Sequence, residues 1–211
     1  TLRQMVPSDE GNNRKQSEKI YALHQDGGGN LWMISSTESI QYANQRFLSL
    51  ENKDYNIQAL LATGAGTLWV GMDAGLFQLN DNGRLIAWPG AEDLNIVSLY
   101  EDGYGNLWVG TFGDGVYLIE PDGRRRRHLG EGEGLLNGSI LSIDGTPAGH
   151  IWLASLGGVV ETIMQSDPLD GKVKFRKVEG VKPDFIYQVL ADGPGRAWFG
   201  TDGEGLGLLD N

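Results

Sequence analysis

The sequence predicts an all-β chain, built from one four-stranded unit repeated five times and arranged as a β-propeller. Three observations predict it. Glycine supplies 32 of the 211 residues, about twice its usual share of roughly 7%, which suits a turn-rich chain of short strands. A thirteen-residue segment recurs five times without a gap. The stretch after each copy again alternates apolar and polar residues, leaving room for two further strands before the next copy begins.

Aligned on a leading isoleucine, the copies are IYALHQDGGGNLW (20 to 32), IQALLATGAGTLW (57 to 69), IVSLYEDGYGNLW (96 to 108), ILSIDGTPAGHIW (140 to 152) and IYQVLADGPGRAW (186 to 198). Each has an aliphatic fourth residue (Leu23, Leu60, Leu99, Ile143, Val189), a tenth-position glycine (Gly29, Gly66, Gly105, Gly149, Gly195) and a closing tryptophan. Such a segment reads as strand, tight turn and strand, the glycine giving a positive φ that other residues reach only with strain. After the tryptophan, VGMDAGLFQL, VGTFGDGVYLI, LASLGGVVETI and FGTDGEGLGLL each offer a small residue, a glycine-bearing loop and a third strand. A fourth strand is expected in RFLSLEN, RLIAWPG, RRRRHLG and KFRKVEG. Four strands in about 42 residues is the size of one propeller blade.

Successive tryptophans (Trp32, Trp69, Trp108, Trp152, Trp198) lie 37, 39, 44 and 46 residues apart, and all the drift falls in the connections. Blades packed face to face bury their inner strands on both sides. A tryptophan opposite a small residue two positions on (Gly71, Gly110, Ala154, Gly200) is expected to fill the wedge between neighbours. Burying about 200 Å² at about 25 cal/mol per Å² sets an upper limit of about 5 kcal/mol per tryptophan. The chain reads as a single domain, 1–211, with units starting near 20, 57, 96, 140 and 186. The last unit runs only to a third strand at LGLLDN, and residues 1 to 6, TLRQMV, resemble the fourth-strand segments. Their pairing would close five blades into a ring without a free edge; five blades of a larger ring is the alternative.

Composition narrows the function. A formal charge of −11 excludes nucleic acid and anionic lipid as natural partners, because their binding draws on clustered Lys and Arg. No apolar run approaches the roughly 18 residues of a membrane span. Without cysteine there are no disulfides or thiolate metal sites, which fits a periplasmic and a cytoplasmic address equally. No secretory leader pattern opens the sequence, so it reads as a cytosolic protein or an excised mature domain.

The run EDGYGNLWVGTFGDGVYLI (101 to 119) resembles the two-component regulator propeller repeat, and the five copies extend that resemblance over residues 20 to 211. The first copy departs after its tryptophan, where MISSTESIQY lacks the glycine, and the fourth has TPAGHIW without the aspartate. The resemblance implies the periplasmic sensor domain of a hybrid histidine kinase or diguanylate cyclase, itself non-catalytic. It also implies a small polar ligand, with oligosaccharides a known class, and homodimerisation through the full-length receptor.

Candidate site residues lie on the loops between second and third strands, which in a propeller converge near the axis on one face. Glu38, Asp73, Asp114, Asp202 and Glu204 would bring acids there from four units, joined by Phe112 and by Tyr55, Asn95, Asn137 and Asp184 just before inner strands. Binding residues concentrate on such loops when the scaffold is rigid. The ordinary alternative is solvated loop carboxylates. The turn aspartates Asp26, Asp102 and Asp192 offer one carboxylate per turn, too few for a calcium loop, and read as turn caps. Arg124 to Arg127 with His128 read as a charged outer strand that blocks edge pairing. His24, His128 and His150 fall on different elements, and no nucleophile, metal spacing or cofactor motif accompanies them, so no catalysis and no cofactor is expected. An interaction scaffold and a propeller lyase or hydrolase are the rival functions.

Overall fold

A computed structural model describes residues 20–25, 31–35, 38–43, 46–51, 56–80, 84–120, 122–181 and 185–210. They form five antiparallel sheets whose strands follow chain order. The first sheet holds β1 (Ile20–Gln25), β2 (Leu31–Ser35), β3 (Glu38–Ala43) and β4 (Arg46–Glu51); the second, β5 (Ile57–Ala62), β6 (Leu68–Met72), β7 (Gly75–Leu79) and β8 (Leu85–Ala87). The third holds β9 (Ile96–Glu101), β10 (Leu107–Thr111), β11 (Val116–Ile119) and β12 (Arg126–Leu129); the fourth, β13 (Ile140–Gly145), β14 (His150–Ser155), β15 (Gly158–Ile163) and β16 (Arg176–Lys177). The fifth has three described strands, β17 (Ile186–Ala191), β18 (Arg196–Thr201) and β19 (Leu206–Asp210). Residues 1–6, expected to supply its fourth strand, lie outside the described residues.

The turn glycines behave as the repeat demands: Gly66, Gly105, Gly149 and Gly195 have φ of 84°, 83°, 84° and 71°. One feature of the first strand has no sequence signature. In all five units the pairing with the second strand slips after the leading isoleucine, so that the second residue (Tyr21, Gln58, Val97, Leu141, Tyr187) is bulged. The bulge turns the isoleucine and the third residue to opposite faces of their sheet.

That twist decides how sheets join. Directly paired residues share a face, so Trp108, Tyr100 and Leu118 lie on one side with Ser98, Gly110 and Val116 beside them. This side meets the next sheet. A Cβ on Gly110 would stand 3.1 Å from Ile140 Cγ2, and one on Gly71 would stand 2.6 Å from Ile96 Cγ2. The wedge at each small residue is therefore filled by the next unit's leading isoleucine, where the sequence pointed to the tryptophan of the same unit. The tryptophan packs one row further along, on the next unit's aliphatic rows. Trp108 is buried with Ile143, Ile151 and Leu153, Trp152 with Val189, Ala197 and Phe199, and Trp69 with Ile96, Leu107 and Val109. The core is thus a series of four junctions between successive sheets. Polar bonds cross them as well: Ser98 Oγ donates to Ile140 O at 3.2 Å, and Ser142 Oγ accepts from Val189 N–H at 3.1 Å.

Candidate functional site

The loops between second and third strands share one end of the sheets with the segments leading into the first strands, and one backbone bond ties the two in four units. In each, the residue four after the tryptophan donates its N–H to the carbonyl of the residue just before the leading isoleucine. The pairs are Asp73 to Asn56 (3.2 Å), Phe112 to Asn95 (2.8 Å), Leu156 to Ser139 (3.3 Å) and Asp202 to Phe185 (2.9 Å). Hydroxyls fix the loops further. Thr111, Ser155 and Thr201 each donate an Oγ hydrogen to a glycine carbonyl across the turn, Gly115, Gly158 and Gly205, at 2.9 Å. The backbone is shared while the side chains it presents differ.

Neighbouring loops are also sewn together. Gly113 and Gly115 donate N–H to Gly138 O at 3.1 and 2.8 Å, and Phe112 makes an isolated bridge with Ser139. Gln58 Nε2 donates to Asn95 Oδ1 at 2.6 Å, carrying the second unit's bulge residue to the third unit's first strand. Asn137 Oδ1 accepts the Ser139 N–H at 2.7 Å. The loops of the second, third and fourth units are thereby joined, with Phe112 52% exposed among them; on the fifth unit Tyr187 is 53% exposed and Phe185 is exposed as well.

The expected acids divide on this surface. The carboxylate of Asp73 accepts from Asn56 N–H at 3.0 Å and Asn56 Nδ2 at 2.7 Å. Asp114 turns toward the outer strands, accepting from the Tyr117 hydroxyl at 2.5 Å, with the His128 ring nitrogen 3.8 Å from its other oxygen. His128 Nε2 donates to the Asp114 carbonyl at 2.6 Å. Burial, reinforced by the Asp114 bond and charge, pushes the Tyr117 phenol up to about 12. Asp202 and Glu204 are exposed in the fifth unit's loop. Glu38 opens β3, but its side chain, like Tyr55 and Asp184, lies outside the described residues. The structure so brings together Asn95, Phe112 and Asn137 and adds Gln58, which bonds Asn95, while Phe185 and Tyr187 are exposed on the fifth unit. The bulge at the half-buried Gln58 and the exposed Tyr187 is a pairing event, and only their shared second position in the repeat could have signalled it.

The other candidates are structural. Asp102 is buried, capping its turn through Tyr104 and Asn106 N–H, each at 2.9 Å, and also accepting from the Trp108 indole. Arg125 pairs with Glu120 and Asp170, Arg126 reaches the Gly90 carbonyl, and Arg127 reaches that of Gly171, so the basic run binds its strand to neighbouring segments. His150 stacks on Trp152 with ring centroids 3.8 Å apart, its Nε2 bonded to Glu161, which also holds Arg176. Burial would raise the Glu161 carboxyl, but Arg176 and His150 outweigh it and hold the group below its ordinary range. Among the described residues, no three His, Asp or Glu side chains gather as a metal site, and no helix is long and apolar enough to cross a membrane.

The family model for the two component regulator propeller matches residues 90–113, which contain the whole of the third copy. No curated protein matches the chain significantly. Among solved structures, the extracellular domains of two hybrid two component systems from B. thetaiotaomicron are 20% and 21% identical, with TM-scores of 0.70 and 0.72. They cover 87% and 90% of this chain, which itself spans about a quarter of their length, 26% in each case. Virginiamycin B lyase from Staphylococcus aureus, 13% identical with a TM-score of 0.70, covers 90% of this chain and is itself covered over 65%. At these identities the likeness establishes the fold. The chain is an all-β protein of propeller architecture whose residues 90–113 match the two component regulator propeller model.

Proposed function

We propose that this chain is a non-catalytic, ligand-binding sensor module, an extracytoplasmic part of a bacterial two-component or related signalling receptor. The observation that carries the reading is the contrast on the loop face: one backbone bond, repeated in four units, presents Asp73, Phe112, Leu156 and Asp202. A rigid frame whose displayed side chains differ is what a binding surface requires. The repeat match at residues 90–113 and the likeness in fold to extracellular domains of hybrid two component systems support a signalling role for that surface. The periplasm is the corresponding compartment.

The ligand is a small polar molecule. Exposed aromatic faces at Phe112, Phe185 and Tyr187, together with the amides of Gln58, Asn95 and Asn137, suit an oligosaccharide, whose C–H faces stack on rings while its hydroxyls bond amides and carboxylates. The five sheets are taken as five blades. Binding signals by favouring one arrangement of the module relative to its receptor, by no more than the ligand's differential affinity for the two states. The experiment is a thermal-shift screen against neutral oligosaccharides, polyamines and divalent cations. A rise in melting temperature with a member of the first set supports the reading, and no rise with any set removes it.

A further inference from the structure

The connection into the fourth unit reads LLNGS, Leu135 to Ser139. In an Asn-Gly pair the side-chain amide carbon can reach the next backbone nitrogen, because glycine sets no Cβ beside it. The structure fixes both members of this pair. Gly138 O accepts the N–H groups of Gly113 and Gly115 at 3.1 and 2.8 Å, and a Cβ on Gly138 would stand 2.6 Å from Gly113 O. Contact with the third unit's loop therefore excludes any larger residue. Asn137 is tied to the same peptide: its Oδ1 accepts the Ser139 N–H at 2.7 Å, which folds the side chain back over Gly138 and polarises the Cγ carbonyl.

Both residues are half-buried and lie outside the strands. Among the described residues the Gly138 N–H has no acceptor and Asn137 Nδ2 donates to none, so neither reacting group is held elsewhere. The two other asparagines of the loop face are placed differently. Asn56 and Asn95 are each followed by a leading isoleucine, Ile57 and Ile96, whose branched Cβ shields the nitrogen that would attack. Asn56 Nδ2 also donates to Asp73 at 2.7 Å, and Asn95 Oδ1 accepts from Gln58 at 2.6 Å.

From this geometry we propose that Asn137 is a site of spontaneous deamidation, through which the loop face gains a carboxylate without an enzyme. The Gly138 nitrogen gives its proton to hydroxide and attacks Asn137 Cγ; the Cγ–Nδ2 bond breaks, and the amide nitrogen, protonated by water, leaves as ammonia. Water then opens the succinimide ring at either of its carbonyls, giving aspartate or isoaspartate. Overall a water is consumed, an ammonia is released, and nothing is oxidised or reduced. Either product is ionised at neutral pH and adds a negative charge to the net −11. Isoaspartate also lengthens the main chain by a methylene group, beside the Gly138 carbonyl that joins the third and fourth units. The chemistry does not depend on any ligand.

The test is incubation of the 211-residue chain at mildly alkaline pH in heavy-oxygen water, native and in guanidinium, followed by peptide mass mapping. Heavy oxygen marks only the conversions that occur during incubation, and mapping separates Asn137 from Asn82, which heads the other Asn-Gly pair in the sequence. The expected result is that native Asn137 converts at least about tenfold faster than Asn56 and Asn95, which their isoleucines shield. An isoaspartyl methyltransferase should label the same peptide. Asn137→Gln, whose longer side chain would have to close a larger ring, should melt as the parent does and remain unlabelled there. Two results overturn the inference. Native Asn137 converting more than about tenfold more slowly than in guanidinium means that the fold shields it and that reaction needs local opening. Equal native rates at Asn56, Asn95 and Asn137 mean that Gly138 does not direct the reaction.

Discussion

The Trp108 indole Nε1–H donates to the Asp102 carboxylate at 2.9 Å, and the same bond at 3.0 Å joins Trp198 to Asp192. A turn aspartate six residues before the tryptophan thereby does two things: it caps the glycine turn and satisfies a polar atom that the sheet junction buries. In the fourth unit the aspartate is Thr146, whose hydroxyl serves His150 N–H, and the Trp152 Nε1 is buried without an acceptor among the described residues.

Replacing Asp102 by alanine therefore strands the indole and two backbone N–H groups together. The expected loss is about 3 kcal/mol in urea denaturation, since each buried group left unsatisfied costs about 1–3 kcal/mol. Asp192→Ala, in a turn open to water, should cost about 1 kcal/mol or less. Equal losses at the two sites would refute the distinction.

Gly110 and Gly200 occupy one register yet should respond oppositely. A methyl at Gly110 meets Ser98 Oγ at 2.2 Å and Ile140 O at 3.0 Å, the second being backbone that cannot step aside. Gly110→Ala is expected to destabilise by about 1–3 kcal/mol, the range of overpacked cores. Among the described residues a methyl at Gly200 meets only Gln188 Cβ, at 3.6 Å, so Gly200→Ala should change stability by about 0.5 kcal/mol or less. Paired melting curves decide the matter.

Ultraviolet titration of the phenols follows Tyr117. Burial first, and then the bond and charge of Asp114, raise it to about 12 from an ordinary 10; Tyr100 is likewise pushed to about 12, by burial and then by Asp144. Because these folded values lie above the unfolded one, the stability they contribute is complete below pH 10 and lost as pH rises toward 12. Asp114→Asn should bring one phenol back toward 10 and leave the other late. Two unmoved late phenols would show that Asp114 does not govern Tyr117.

Glu161 gives the acid limb. Its folded value is lowered by Arg176 and His150 despite burial, so its contribution is present above its ordinary value of 4.5 and disappears as pH falls below that toward the folded value. The urea midpoint of the parent should thus fall more steeply on acidification than that of Glu161→Gln. Parallel curves would mean that the His150, Glu161 and Arg176 cluster carries no proton linkage.

Much of the architecture was legible because repetition makes one unit annotate the others. The turn glycines, the five tryptophans and the small residues after them align across the repeat, and Trp32, Trp69, Trp108 and Trp152 fall at the four junctions. The occupant of the wedge was less legible. Gly110 faces Ile140 of the following unit rather than Trp108 of its own, because the bulge after each leading isoleucine reverses that side chain, and a bulge depends on pairing rather than composition. The same bulge hid Gln58 and Tyr187 from the list of surface residues. Loop position alone points Asp114 toward the shared face, while in the structure its carboxylate accepts from Tyr117, three residues on, and its carbonyl bonds His128 on the paired strand. In both cases local sequence was outweighed by contacts made across strands.

Calorimetric titration of an oligosaccharide identified by thermal shift, into the parent and into Phe112→Ala and Tyr187→Ala, tests most directly whether the loop face is the sensor surface. Both rings are exposed, so the variants should melt as the parent does, while the Kd rises at least about tenfold for each, as for truncation of an aromatic anchor. Binding of that oligosaccharide with parent affinity in both variants would contradict the assignment and move the site off the loop face.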